Sequence, residues 1–214
     1  MPVTLKLATS LDGRIATASG ESRWITGEAA REAVHRLRSE HDAVLVGAET
    51  ALADDPELTV RLAGYAGPQP ARVVLDSRQR LSLDCKLVKS AREIPTYVVS
   101  TTDPDPVLVA AGVRVLQVRA VGEDRPELKT VVQALANEGL SRIFVEGGGQ
   151  VAASFLRCGL VDAIEWFRAP ILIGGEGRPG VGALALAGLA DAPHFRRVEV
   201  REVSDDLWER YARI

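Results

Sequence analysis

Cysteine is scarce in this chain. Cys85 and Cys158 are the only two, and they form neither a C-x-x-C pair nor a disulfide framework. That usage suits a reducing cytoplasm and casts both as packing residues. The three histidines, His35, His41 and His194, have no acidic or cysteine partner at ligand spacing, which argues against a metal site. No H-x-E with P-C-x-x-C occurs, so zinc-deaminase chemistry is excluded, and no G-x-S-x-G nucleophile elbow occurs either. The longest apolar run, Val181 to Ala190, is about half of what a membrane span requires, and the first residues carry no secretory signature. Charge of one sign is also lacking: the formal net charge is −3 and the pI is 5.7. A nucleic-acid or anionic-membrane binder is therefore not expected, and any phosphate must be held locally by a few arginines and backbone amides. The expectation is a soluble, cytoplasmic protein.

What is present centres on Arg142 to Arg157. The apolar run Ile143–Val145 reads as a buried strand of a parallel sheet. It meets Glu146, then Gly147, Gly148 and Gly149. Beyond them Val151, Ala152, Phe155 and Leu156 recur on one helix face. Strand, glycine turn and helix give a ligand close access to backbone, and the free N–H groups of the helix start attract an anion. The triplet matches neither G-x-G-x-x-G nor a Walker A sequence, so a tight turn with nothing bound is the competing reading. Glu146 tilts the balance, because ligands of open α/β sheets bind at the carboxyl ends of strands.

Strands alternate with helices along the rest of the chain. Val3–Ala8, Ala43–Val46, Arg72–Asp76, Thr96–Val99 and Val113–Val118 read as strands, with Ser10–Gly13 as a turn. Ala30, Val34 and Leu37 share a helix face, with Thr26 as N-cap. Leu128, Val131, Val132 and Leu135 mark a helix ending at Gly139. Asp162–Phe167 and Pro170–Ile173 read as strand-like, and Arg197–Val203 with Leu207–Ala212 as a hairpin. The expectation is one α/β domain over residues 1–214, with a mixed, mostly parallel sheet flanked by helices and an antiparallel C-terminal hairpin.

Polar residues cluster in four places. Lys6, Ser10, Asp12 and Arg14 surround the first strand end, where Asp12 before a glycine reads as a turn-former. In Ser19–Thr26, Trp24 either stacks on a flat ring or anchors the surface to the core. Thr50, Asp54, Asp55 and Arg61 are read as one loop after the strand Ala43–Val46. Arg38 and Arg61 would grip one phosphate as planar forks, or stand alone at the surface. Asp76-Ser77-Arg78 ends another buried strand. Its hydroxyl and guanidinium suit a 2′-phosphate and so NADP, while Asp76 counts against that reading.

Leu5–Arg14, Ser19–Thr26, Ala51–Pro56 with Leu58–Arg61, and Val145–Gly149 together resemble the reductase domain of the riboflavin-biosynthesis bifunctional deaminase–reductase. The resemblance implies a dihydrofolate-reductase-like fold, NADPH as cofactor and a homodimer. It also implies reduction of 5-amino-6-(5-phosphoribosylamino)uracil to the ribitylamino compound, with reduction of a folate, pterin or other pyrimidine as the alternative. The bifunctional members carry a zinc deaminase domain upstream, which this sequence lacks. By the same resemblance Ser22, Arg38, Leu58, Arg61 and Glu146 contact substrate. Ala8, Trp24, Thr26, Thr50, Asp54, Ser77 and Gly148, Gly149, Gln150, Val151, Ala152, Ala153 and Ser154 line the NADPH site. Glu146, Asp54 and Lys6 are the candidate catalytic residues.

Overall fold

Short apolar runs fold as the strands they predict. In the computed structural model, which describes residues 2–122 and 124–214, the chain opens with β1 (Val3–Thr9), β2 (Arg14–Ala16), α1 (Glu28–Ser39), β3 (Ala43–Gly47), α2 (Ala48–Asp54) and β4 (Ala71–Leu75). Next come α3 (Lys86–Lys89), β5 (Thr96–Ser100), α4 (Pro106–Ala111), β6 (Arg114–Gln117), β7 (Ala120–Val121), β8 (Arg125–Pro126) and α5 (Leu128–Asn137). The remainder holds β9 (Ile143–Gly147), α6 (Gly149–Arg157), β10 (Ala163–Arg168), β11 (Arg178–Pro179), β12 (Phe195–Val203) and β13 (Asp206–Arg213). The chain divides into two compact units, residues 35–144 and residues 2–34 with 145–214.

In the first unit β3, β4, β5 and β6 pair in parallel, in that order. Val44, Leu45, Val73, Val74, Val98 and Val99 are fully buried. A parallel strand covered on both faces needs such an unbroken apolar run rather than alternation. Each such side chain contributes about 1.5–3 kcal/mol by leaving water. Helices supply part of the cover: Ala51 of α2, Leu87 and Val88 of α3 and Leu108 of α4 pack with Val44, Val74 and Val98.

The second unit holds the mixed part of the sheet. β1 pairs with β10 in parallel, with Lys6 opposite Glu165 and Ala8 opposite Phe167. β10 and β12 each pair antiparallel with β13, which confirms the expected C-terminal hairpin. Antiparallel partners can be joined by a tight turn; here Ser204, in the left-handed region at φ 57°, makes it.

Three local expectations need correction. Residues 47–61 are not one loop, because Ala48–Asp54 form α2, with Ala48 and Ala51 turned into the core. Pro170–Ile173 form no strand. The Ile171 carbonyl accepts from Leu11 N–H, and the Ile173 and Gly174 N–H groups donate to the Asp12 carboxylate. Those backbone groups are therefore spent on a turn, and Asp12 is the turn-former expected. Its carboxyl is held down to about 2, chiefly by the Ser10 hydroxyl. Finally, α1 begins at Glu28, behind Gly27 rather than behind a Thr26 cap. The Gly27 N–H donates instead to Asp206 at 2.7 Å.

Asp42, just before β3, ties two distant stretches of the first unit together. One oxygen accepts from Ser141 N–H and Oγ and from Arg142 N–H, at 2.9–3.0 Å. The other accepts from Arg142 Nε and Nη2. These donors, the Arg142 side chain foremost, hold the Asp42 carboxyl down to about 2. A depressed folded-state value means stability that is present above the ordinary carboxylate range and fades as pH falls toward 2. Asp42→Ala is expected to cost about 2 kcal/mol at neutral pH. In urea unfolding the difference from the parent should shrink between about pH 4 and pH 2; a pH-independent difference would show that the ionised carboxylate is not what joins the two stretches.

Candidate functional site

In the first unit, the stretch after α2 is bent by two non-glycine residues in the left-handed region, Asp55 at φ 40° and Leu58 at φ 55°. Such conformations persist where the surroundings over-determine them. Here the determinants are visible. The Asp55 carboxylate accepts from Lys86 N–H at 2.8 Å, and the Leu58 side chain, 3% exposed, belongs to the core. Leu58 therefore has only backbone to offer a ligand.

Thr59 follows, and the two candidate phosphate-gripping arginines meet on it. Arg38 Nη1 donates to the Thr59 carbonyl at 2.8 Å. Arg61 Nη1 lies 3.4 Å from Thr59 Oγ1 and pairs with Glu57 at 2.9 Å. The Arg61 N–H donates to His35 Nδ1 at 3.2 Å. Helix α1 and this loop thus hold one half-buried and one exposed guanidinium around a single threonine. Thr50 and Asp54 are half-buried on α2, Asp54 being its last residue.

A cavity of about 250 Å³ opens in the same unit, lined by Glu49, Leu75, Asp76, Ser77, Arg78, Arg80, Asp124 and Arg125. It lies where parallel strands end: Glu49 follows β3 and Asp76–Arg80 follow β4, while Asp124–Arg125 come from the β7–β8 hairpin. Asp76, 1% exposed, accepts from Arg80 N–H on one oxygen and from Arg80 Nε on the other. Arg80 also donates to Glu49 at 2.8 Å. The Glu49 and then the Asp76 hydrogen bonds raise the Arg80 guanidinium above its ordinary range. Two lining carboxylates are therefore engaged by one arginine, and Asp76 is not presented to a ribose. Sequence reasoning reached Ser77 and missed Arg80 and Arg125. The i, i+4 spacing of Asp76 and Arg80 is a signal for the first; nothing local signals the second.

The second unit carries the other candidates. Lys6 and Ala8 share one face of β1 and are half-buried. Ser22 is half-buried and Thr26 is buried. Trp24 is 68% exposed, with the Arg31 guanidinium 4.4 Å from its ring centre, so it is not a core anchor and remains a flat ring open to solvent. Glu146 is half-buried at the outgoing end of β9.

Gly148, at φ 88°, caps α6 with no side-chain hydrogen bond, which leaves the first amides of α6 without a side-chain acceptor. Ala152 and Ala153 face the core, so any ligand there meets backbone, Gln150, Val151 and Ser154. Gly149 has a different reason for being glycine. A Cβ on it would sit 2.4 Å from the Pro179 carbonyl oxygen, and its own carbonyl accepts from Gly182 N–H at 2.8 Å. The close approach that the triple glycine permits is, at Gly149, an approach of this chain's own backbone. Among the described residues no three His, Cys, Asp or Glu side chains are grouped to hold a metal ion, and no helix is long and apolar enough to cross a membrane.

The family profile of the RibD C-terminal domain matches residues 2–208. The chain belongs to this family. Riboflavin biosynthesis protein RibD of Bacillus amyloliquefaciens is 36% identical over 210 residues, 96% of this chain and 55% of that protein. The chain thus spans about half the length of this RibD relative. The 2,5-diamino-6-ribosylamino-4(3H)-pyrimidinone 5′-phosphate reductase of Methanothermobacter thermautotrophicus is 36% identical over 211 residues, 98% of this chain and 96% of that protein. Acinetobacter baumannii RibD superposes with a TM-score of 0.89 at 34% identity, covering all of this chain and 58% of that one. Val145–Gly149 sits on the strand-to-helix turn from β9 to α6, as its residues implied.

Gly149→Ala is expected to destabilise the ligand-free protein by roughly 1–3 kcal/mol, because the Pro179 carbonyl must move. Thermal unfolding without ligand checks this. An unchanged midpoint combined with lost ligand affinity would return Gly149 to a purely ligand-facing role.

Proposed function

We propose that this chain is an NADPH-dependent reductase of a phosphorylated ribosylaminopyrimidine. It converts the ribosyl group of 5-amino-6-(5-phosphoribosylamino)uracil to the ribitylamino product in riboflavin biosynthesis. The meeting of Arg38 and Arg61 at Thr59 carries this reading. Planar guanidinium forks suit a phosphate, whereas a folate or pterin has no 5′-phosphate to hold. Family membership supports the same reaction class. The near end-to-end match to the Methanothermobacter reductase favours one close variant, in which the pyrimidine keeps its 2-amino group.

The residues present fit NADPH. Ser77, Arg78, Arg80 and Arg125 line one cavity together with Glu49, Asp76 and Asp124, and we assign their hydroxyl and guanidiniums to a 2′-phosphate. Asp76, which would favour a free 2′-hydroxyl, is taken up by Arg80. The exposed ring of Trp24 offers a stacking surface. When bound, NADPH supplies a hydride.

The chain's own residues have the remaining tasks. A closed ribosylamine offers no acceptor, so the sugar must open to an imine, and Asp54 and Lys6 are assigned the proton transfers of that opening. Glu146 holds the sugar hydroxyls and the positive charge that develops on C=N. Ser22 and the Leu58 backbone contact the substrate. Arg38 and Arg61 anchor the 5′-phosphate, so that binding energy remote from the reaction orients C1′. We read residues 1–214 as one reductase domain acting as a homodimer, a reading supported by the single family profile that spans residues 2–208. The free Cys85 and Cys158 are in keeping with a cytoplasmic setting.

The deciding assay follows NADPH and NADH oxidation with both ribosylaminopyrimidine phosphates and their dephosphorylated analogues. The expected result is turnover with NADPH on a phosphorylated substrate. In Arg61→Ala the KM for that substrate should rise about tenfold or more with little change in kcat. Equal losses on the dephosphorylated analogue would remove the phosphate clamp, and turnover of a pterin alone would replace the reading.

A further inference from the structure

A single row of charge crosses four strands of the second unit. Lys6 on β1 is the register partner of Glu165 on β10, Glu165 of Arg210 on β13, and Arg210 of Glu199 on β12. Register partners leave the sheet on the same face, with neighbouring strands about 4.8 Å apart. The row therefore reads plus, minus, plus, minus on one face. Its contacts are close: Arg210 Nε donates to both Glu165 oxygens at 3.0 and 3.1 Å, and Arg210 Nη1 reaches Glu199 at 3.3 Å.

Glu165 is 4% exposed, a burial that a carboxylate tolerates only when fully engaged. Trp208 Nε1 adds a second donor at 2.6 Å. Trp208 is itself fixed, stacked on Phe167 with ring centres 5.2 Å apart and covered by the guanidiniums of Arg201 and Arg210. The carboxylate opposite Lys6 is thus locked from the hairpin side.

We propose that Glu165 is a positioning residue for Lys6: locked by Arg210 and Trp208, it holds the Lys6 ammonium charged and in place for the reaction. This rests on the assignment of Lys6 to proton transfer in the proposed function. It gives the β12–β13 hairpin a part in the chemistry, although no hairpin residue was singled out for one. Glu146, on the strand that neighbours β1 on its other side, is the rival counter-ion for Lys6, and the test separates the two.

The chain has four lysines, Lys6, Lys86, Lys89 and Lys129, so Lys6 is readily followed by pH-dependent acylation with acetic anhydride and peptide mass spectrometry. Removing the negative charge in Glu165→Gln should move the Lys6 titration to lower pH by about one pH unit and lower kcat about tenfold with little change in substrate KM. Arg210→Met removes the competing positive charge and should move the Lys6 titration the opposite way, which keeps the test decisive if Glu165→Gln folds poorly. A Lys6 titration that ignores both variants, or follows Glu146→Gln alone, overturns the proposal. A titration that moves in Glu165→Gln while kcat does not supports the charge row and removes Lys6 from the reaction instead.

Discussion

Parallel pairing of β3, β4, β5 and β6 is the constraint from which the first unit's candidate site follows. Strands that all run one way deliver every following segment to the same end of the sheet. The start of α2, the Asp76–Arg80 turn and the β7–β8 hairpin are therefore gathered into one cavity, although Glu49 and Arg125 are far apart in the chain. The same constraint demands unbroken apolar strands, and full burial of Val44, Val74 and Val98 meets it. Polar side chains gather at the strand ends: Arg78 and Arg80 follow β4 at the cavity, while Arg72, near the start of β4, is buried and spends its guanidinium on Ser90, Thr96 and the Leu87 and Ile94 carbonyls.

The second unit solves a different problem. Its antiparallel strands β13 and β12 have a polar face, where Arg210 pairs with both Glu165 and Glu199, and Lys6 on β1 continues the register beside Glu165. Burial alone would lower the Arg210 guanidinium, and Glu165 with Glu199 outweighs it and raises the group. A buried carboxylate such as Glu165 is held only when its oxygens have partners, and here Arg210 and Trp208 of the hairpin supply them.

Much of this architecture was legible in the residues. Runs such as Ala43–Val46 and Ile143–Val145 are too short for a helix and too apolar for an edge, and β3 and β9 are where they fell. Strict alternation in Arg197–Val203 gave the hairpin. What failed was short or dictated from afar. Helix α2 has seven residues, too few for helical periodicity to show, so its Thr50 and Asp54 were read as loop residues. Pro170–Ile173 has the composition of a strand, but its backbone is claimed by Leu11 and Asp12. Of the site, single residues were readable and juxtapositions were not. Arg38 and Arg61 were paired on chemistry alone, whereas the engagement of Asp76 by Arg80, the arrival of Arg125 and the seating of Pro179 against Gly149 are properties of the folded chain.

The account's central claim is that two sets of arginines hold two phosphates: those beside Ser77 at the end of β4 hold the cofactor's, and Arg38 of α1 with Arg61 of the following loop hold the substrate's. The most direct test is a crystal structure of the protein with NADP⁺ and the phosphorylated ribitylaminopyrimidine product. The account predicts the 2′-phosphate within hydrogen-bond distance of Ser77 and the guanidiniums of Arg78, Arg80 or Arg125, and the 5′-phosphate on Arg38 and Arg61. Both phosphates bound elsewhere, with the Ser77 cavity and the Thr59 arginines left to solvent, would contradict it.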